Sequence, residues 1–216
     1  MQLAQAQTCP LCLSMRLETL FSLAQRNYIE CQECDLLFTH PACLLGADGE
    51  KERYAQHNNG GGDGGYRSHL ERLIIPLGQK LKCGMRGLDY GCGPQGVLHK
   101  MLEESGYRMT SYDPFFGPPL SELFSPYDFI TCTEVAEHFA APLVEFTKIV
   151  GLVKSGGWIG VLTMFREAER RSHSWWYLRD ATHRCFYSKR TFELLCTTLK
   201  CVLVHCDQDV ALMQKK

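Results

Sequence analysis

Leu88-Asp-Tyr-Gly-Cys-Gly-Pro-Gln-Gly96 is a glycine-rich turn with a strand signal before it and a helix signal after it. Residues 86–91 read as a short buried strand, and the apolar positions of residues 97–105 recur at helical spacing. Glycines at this junction let the backbone turn sharply and come close to a ligand where a Cβ would collide. A second strand over residues 107–112 ends in Asp113, seventeen residues after Gly96. An acid there can accept hydrogen bonds from ribose hydroxyls. To this point a nicotinamide-binding enzyme fits equally well.

Further along, residues 126–132 read as a third strand that opens into Thr133-Glu-Val-Ala-Glu-His138. A helix over about 141–153, a turn at Lys154-Ser-Gly-Gly157 and a buried strand over 158–163 follow. Ser188 caps a helix running to Leu199. Two strands, 201–206 and 210–213, then meet at a tight turn on Asp207-Gln208 and form an antiparallel hairpin. Strands alternating with helices predict an α/β fold with a mostly parallel sheet closed by this hairpin.

The loop wording separates the alternatives. Leu-Asp-Tyr-Gly-Cys-Gly-Pro-Gln-Gly resembles the first motif of class I S-adenosylmethionine-dependent methyltransferases, where an acid stands two residues before the first glycine. The order strand, E-V-x-E-H, helix, K-x-G-G, strand is similar to the rest of that Rossmann-like fold, and most to the ubiquinone-biosynthesis O-methyltransferase group. The resemblance covers residues 87–163. It implies S-adenosylmethionine as cofactor, with Asp89 near its methionine end and Gly91, Cys92, Gly93 and Gly96 lining it. It also places Asp113, Pro114, Thr133 and Glu134 against the cofactor. In that group the E-x-x-E-H residues, here Glu134, Glu137 and His138, can hold a divalent cation; the plainer reading has Glu137 and His138 cap the next helix. Only fifteen residues separate Asp113 from Phe129, so the third-strand region is shortened. The acid that follows that strand is missing, leaving Phe115, Phe116 or Leu123 to pack the adenine.

Cys9-Pro-Leu-Cys12 and Cys31-Gln-Glu-Cys34, eighteen residues apart, match the spacing of a tetrathiolate zinc site. Two thiolates three residues apart turn inward from one knuckle, and two facing knuckles complete a tetrahedron. The four cysteines therefore predict a small structural zinc ribbon over residues 1–45, with a hairpin across 17–29, a strand at 36–38, and His40 and Cys43 as substitute ligands. Residues 46–82 read as linker or lid and a lead-in helix from Ser68 to Lys82, interrupted by Pro76 and Gly78. The glycine tract 57–66 reads as irregular, with Tyr54, His57 and Tyr66 as candidate cofactor contacts. The cofactor-binding domain then takes 83–216. The C-P-L-C, R-Y-x-x-H-N, Y-D-P-F-F and W-W-Y-x-R-D-x-T-H stretches make the whole chain resemble bacterial methyltransferases with an N-terminal zinc ribbon.

Methyl transfer needs a positioned nucleophile and, for a hydroxyl or amine, a base. Asp180 and His183 are candidates as orienter and base, within an aromatic stretch (residues 174–188) that is either acceptor wall or core. A net charge of -1 over 216 residues gives no footprint for nucleic acid, although Arg166, Arg170 and Arg171 could form a local patch. A small-molecule acceptor is favoured over ribosomal RNA, and a binding module without catalysis is the remaining alternative. No segment reaches the roughly 20 apolar residues that cross a bilayer. The polar residues 1–8 lack a signal-peptide core, so a cytoplasmic location is expected, with the twelve cysteines reduced.

Overall fold

The computed structural model describes residues 8–44, 64–117, 123, 126–166 and 174–216. Two sheets organise them. The larger has six strands: β4 (Arg86–Tyr90), β5 (Arg108–Tyr112), β6 (Tyr127–Thr133), β7 (Val153–Leu162), β9 (Cys201–Asp207) and β10 (Val210–Lys215). Their order is β5-β4-β6-β7-β10-β9. The first four run parallel, with Leu88 opposite both Thr110 and Ile130, and β10 lies antiparallel between β7 and β9. Among the described residues no strand lies outside β5.

Both faces of this sheet are covered, and strand alternation distributes the core. On β10, Val210 and Leu212 face α1 (Gly64–Gly78) and α2 (Val97–Glu104), whereas Ala211 and Met213 face α3 (Pro142–Leu152) and α4 (Lys189–Thr198). Ser188 caps α4 as expected, with its hydroxyl accepting from Thr191 N and Thr191 answering at Ser188 N.

Three local expectations change. Helix α1 starts at Gly64, inside the tract read as irregular, because Leu70, Leu73 and Leu77 bury one of its faces and outweigh the glycines. It keeps Pro76 in its last turn. Tyr54, His57 and the boundary near residue 45 lie outside the described residues. Lys154–Gly157 is a bulge within β7 rather than a turn before it: Tyr127 pairs with Val153, but Phe129 pairs with Trp158. The hairpin turn sits on Gln208 and Asp209, one residue later than expected, both with positive φ.

The smaller sheet has the order β1-β2-β3-β8, from β1 (Leu17–Leu23), β2 (Arg26–Cys31), β3 (Leu37–Thr39) and β8 (Cys185–Phe186). Its last strand comes from the far end of the chain, with Leu37 opposite Phe186 and Phe38 opposite Cys185. Leu11, Ile29, Leu36 and Phe38 join the same apolar core as Leu88 and Ile130. Arg166 is buried here, paired with Glu30 and Asp35, so it cannot contribute to a surface basic patch. Arg170 and Arg171 lie outside the described residues. Among the described residues no helix is long and apolar enough to cross a membrane.

Candidate functional site

A cavity of about 810 Å³ opens at the carboxyl ends of β4, β5 and β6. Crevices of open α/β sheets lie at this edge. Its floor is the glycine turn. Gly91 and Cys92 both donate to Tyr112 O, at 2.7 and 3.1 Å, which pulls the turn across the end of β5. Gly91 has φ +83°, and a Cβ there would lie 2.4 Å from Val135 Cγ2, so this glycine is demanded by the protein itself. Gly93 also has positive φ, but a Cβ on it would meet none of the described residues within 4 Å. Its bareness faces the cavity, as a cradle for a ligand requires. Gly96 is the left-handed N-cap of α2 and brings no capping side chain.

Asp113 is buried, and its carboxylate accepts from Gly93 N at 3.0 Å, Phe115 N at 2.8 Å and Phe116 N at 3.2 Å. It thereby ties the glycine turn to the end of β5. Asp89 is buried beneath the loop, with Thr131 Oγ1 donating to it at 3.1 Å. Burial raises its pKa to about 7, against the smaller opposing effect of the Thr131 hydrogen bond. Pro114, Phe115, Phe116 and Thr133 line the same cavity, whereas Leu123 packs against the main core.

Glu134 stands at the end of β6 in the left-handed region, φ +53°, a conformation that a non-glycine residue adopts at a cost. Its Oε1 lies 3.1 Å from His69 Nε2 on α1. Glu137 and His138 do not cap α3, whose N-cap is Ala141 with no side-chain bond. They sit in a single 3₁₀ turn, Ala136–His138, that directs them into the cavity. Glu137 is 0% exposed, and Thr163 Oγ1 donates to its Oε2 at 2.9 Å. Burial and, next, the charge of Glu134 raise its pKa to about 8.

His183 reaches the cavity from the opposite wall, its ring 4.9 Å from that of His138. The Asp180 carboxylate accepts from Thr182 N at 2.9 Å and Thr182 Oγ1 at 2.6 Å, while His183 Nδ1 lies 2.8 Å from Tyr177 O. The chain between them is a turn rather than a helix, so positions i and i+3 do not share a face. Of the Trp, Tyr and Phe side chains in this stretch only Trp176, 60% exposed, lines the cavity; Trp175, Tyr177, Phe186 and Tyr187 are core. Tyr66, His69 and Arg72 complete the wall from α1. Their i, i+3, i+6 spacing marks one helix face, a signal that points to His69 and Arg72 once the helix is known to begin at Gly64.

In the ribbon the four knuckle sulfurs lie within 4.8 Å of one another, with Cys9–Cys34 at 3.6 Å and Cys12–Cys31 at 3.5 Å. A tetrahedral ion with 2.3 Å Zn–S bonds separates its sulfurs by about 3.8 Å, so the donor set fits. Both knuckles close alike, on Leu13 and Asp35, each with positive φ and each donating its amide to the first cysteine's carbonyl. The Cys34 hydrogen bond lowers the Cys9 pKa to about 6, which favours one thiolate before any metal arrives. His40 is occupied in accepting from Ala42 N and stands outside the set, as does Cys43.

A family profile described as "Methyltransferase domain" matches residues 64–205. Among curated proteins, the ubiquinone biosynthesis O-methyltransferase of Bordetella avium is 29% identical over 107 residues, covering 38% of this chain and 44% of that protein. Its counterpart from Vibrio parahaemolyticus is 32% identical over 80 residues, covering 37% and 34%. The chain thus matches less than half the length of these relatives. Among solved structures, a Burkholderia thailandensis 1,6-didemethyltoxoflavin-N1-methyltransferase, crystallised with 1,6-didemethyltoxoflavin and S-adenosylhomocysteine, aligns with a TM-score of 0.55 at 16% identity. That alignment covers 92% of this chain and 99% of the other. Magnesium protoporphyrin IX methyltransferase from Synechocystis PCC 6803, with bound S-adenosylhomocysteine, aligns with a TM-score of 0.52 at 11% identity, covering 79% and 95%. With the profile spanning most of the chain, the protein belongs to the methyltransferase domain family and has the class I S-adenosylmethionine-dependent methyltransferase fold.

Proposed function

We propose that this chain moves a methyl group from S-adenosylmethionine to a small-molecule acceptor held between Trp176 and the Glu137, His138 and His183 side chains. The observation that carries the reading is continuity: one cavity runs from the glycine cradle to that cluster. S-adenosylmethionine, when bound, supplies an electrophilic methyl on a sulfonium.

The chain's own residues do the rest. Gly93 lets the backbone approach the cofactor, and Asp113 both braces the loop and offers carboxylate lone pairs to ribose hydroxyls. Asp89, ionised, suits the cationic amino group of the methionine end. Phe115 and Phe116 stand where an adenine ring would pack. Trp176 gives a flat apolar wall for the acceptor. The cluster beside it is where a hydroxyl or amine acceptor would be oriented and lose its proton. We assign the four cysteines to a structural zinc, closed to catalysis because all four positions are protein thiolates.

The test is transfer of label from methyl-labelled S-adenosylmethionine into fractionated small metabolites, RNA and protein supplied in parallel. Label in the small-molecule fraction is expected. Label confined to RNA or protein would overturn the acceptor class, and none in any fraction would favour a module that binds without catalysis.

A further inference from the structure

Glu145, on the first turn of α3, lines the cavity beside Tyr112, Ala140 and Lys148. Its carboxylate is held from two sides. Tyr90 OH donates to Oε2 at 2.7 Å, and Lys148 Nζ donates to Oε1 at 2.7 Å. A carboxylate has about four lone-pair sites, so each oxygen can still accept from a ligand. The side chain is 24% exposed, which leaves it within reach of a bound molecule.

Tyr90 is itself fixed. It is buried at the end of β4, with its ring 4.8 Å from that of Tyr112 and 6.4 Å from that of Phe139. Burial and then the bond to Glu145 hold its pKa well above the ordinary value, so Tyr90 stays the donor and Glu145 the acceptor. A first-turn acid that served only the helix dipole would need no such brace.

Position decides what Glu145 can read. Tyr90 and Tyr112 are opposite each other across β4 and β5, on the sheet face that α3 covers. Asp113, the ribose acid of the proposed function, follows Tyr112 directly. Burial and then the Glu145 charge raise the Tyr112 pKa, which puts the Tyr112 hydroxyl within the field of that carboxylate. The wall therefore runs from Asp113 through Tyr112 to Glu145, with Lys148 at i+3 on the same helix face. Ala140 and Ala141 line this stretch and add no bulk. Among the described residues no strand lies outside β5 to supply an acid, and α3 offers one instead.

We propose that Glu145 recognises the adenine of the cofactor by accepting a hydrogen bond from its N6 amino group, with Lys148 beside it to donate to a ring nitrogen. Adenine carries that donor next to an acceptor nitrogen, the pattern that an acid beside an ammonium complements. Hypoxanthine has O6 in place of the amino group and brings no proton to the carboxylate. The inference rests on the methyl-transfer reading for the cofactor's identity and adds which residue selects its base.

Calorimetric titrations with S-adenosylhomocysteine and S-inosylhomocysteine, which differ only in the base, test it. Wild type should prefer the adenine compound by about tenfold or more, the worth of one hydrogen bond to a charged group. Glu145→Gln keeps the side chain's shape and can turn its amide NH2 toward O6, so the preference should shrink to about threefold or less with the circular dichroism unchanged. Glu122→Gln, which alters an acid outside the described residues, should keep the full preference. Should Glu145→Gln fail to fold, NMR of wild type gives the answer: saturating S-adenosylhomocysteine should shift the Glu145 carboxyl carbon resonance, and S-inosylhomocysteine should not. Equal affinities in wild type, full preference in Glu145→Gln, preference lost in Glu122→Gln, or a carboxyl resonance shifted alike by both compounds would overturn the proposal. The two failures are distinct: folded wild type that binds neither compound would sink the cofactor reading itself, whereas tight S-adenosylhomocysteine with an unchanged preference in Glu145→Gln would sink the base assignment alone.

Discussion

Alanine at Gly91 and at Gly93 adds the same methyl to the same loop, but the two should fail in different ways. Both positions are left-handed, φ +83° and +62°, which costs an alanine about 1–2 kcal/mol. At Gly93 none of the described residues meets the new Cβ, so that strain is the stability cost. For a domain of this size it corresponds to a melting-temperature drop of roughly 2–8 °C. At Gly91 the Cβ would sit 2.4 Å from Val135 Cγ2 and 2.8 Å from Cγ1, and overpacking of this kind adds about 1–3 kcal/mol. Val135→Ala should return that added part in the double variant and leave the strain. Cofactor affinity should show the opposite weighting. Gly93→Ala puts its methyl into the cradle and should weaken S-adenosylhomocysteine at least tenfold while remaining folded. The assay is thermal unfolding of the three variants and the double variant, with calorimetric titration of each. Equal stability losses at the two glycines, no relief from Val135→Ala, or wild-type affinity in Gly93→Ala would refute the reasoning.

Asp89 should make cofactor binding pH-dependent: with its pKa raised from 3.8 to about 7, the ionised fraction in the free protein falls about tenfold between pH 8 and pH 6. The dissociation constant should rise by that factor in wild type and stay flat in Asp89→Asn. For a carboxyl raised in the fold the sign on stability is the reverse: its contribution is complete below about pH 4 and lost as pH rises through about 7, which unfolding of the cofactor-free protein at pH 5 and pH 8 will show. Removing the ribbon zinc should lower one cooperative transition, because Leu11, Leu36 and Phe38 belong to the main core; a ribbon that melts alone in calorimetry would contradict this. Arg26→Ala strips the buried donor from the carbonyls of Leu178, Asp180 and His183, which should cost about 2–4 kcal/mol and speed hydrogen exchange across residues 176–186 first. Trp176→Ala should leave melting temperature and cofactor affinity within error of wild type and raise the acceptor's KM, once an acceptor is in hand.

The parts legible in the sequence are those whose signal is local. The glycine turn, the following helix, Asp113 and both knuckles each fit within a few residues, and spacing alone places them. The six-stranded sheet follows from alternating elements with short connections. What could not be read is carried by distant pairing. Strand β8 is two residues long and owes its existence to Leu37 and Phe38, so the sequence around Cys185 shows no strand pattern. Without that pairing, His183 has no assigned direction, and neither has Asp180, whose carboxylate accepts from Thr182. Glu134 and Glu137 look equivalent in E-x-x-E-H. A left-handed backbone at Glu134 and burial at Glu137 send the first to His69 and the second beneath the two histidines. Of the acceptor itself the sequence carries only a flat wall and a cluster of ligating groups.

The measurement closest to the central claim is calorimetric titration of zinc-loaded protein with S-adenosylhomocysteine, beside Asp113→Ala verified as folded by circular dichroism. The account predicts micromolar binding at one site per chain, abolished in the variant because the glycine turn loses its brace and the ribose its acceptor. Folded, zinc-loaded wild type that shows no binding heat at any pH from 6 to 8 would contradict it.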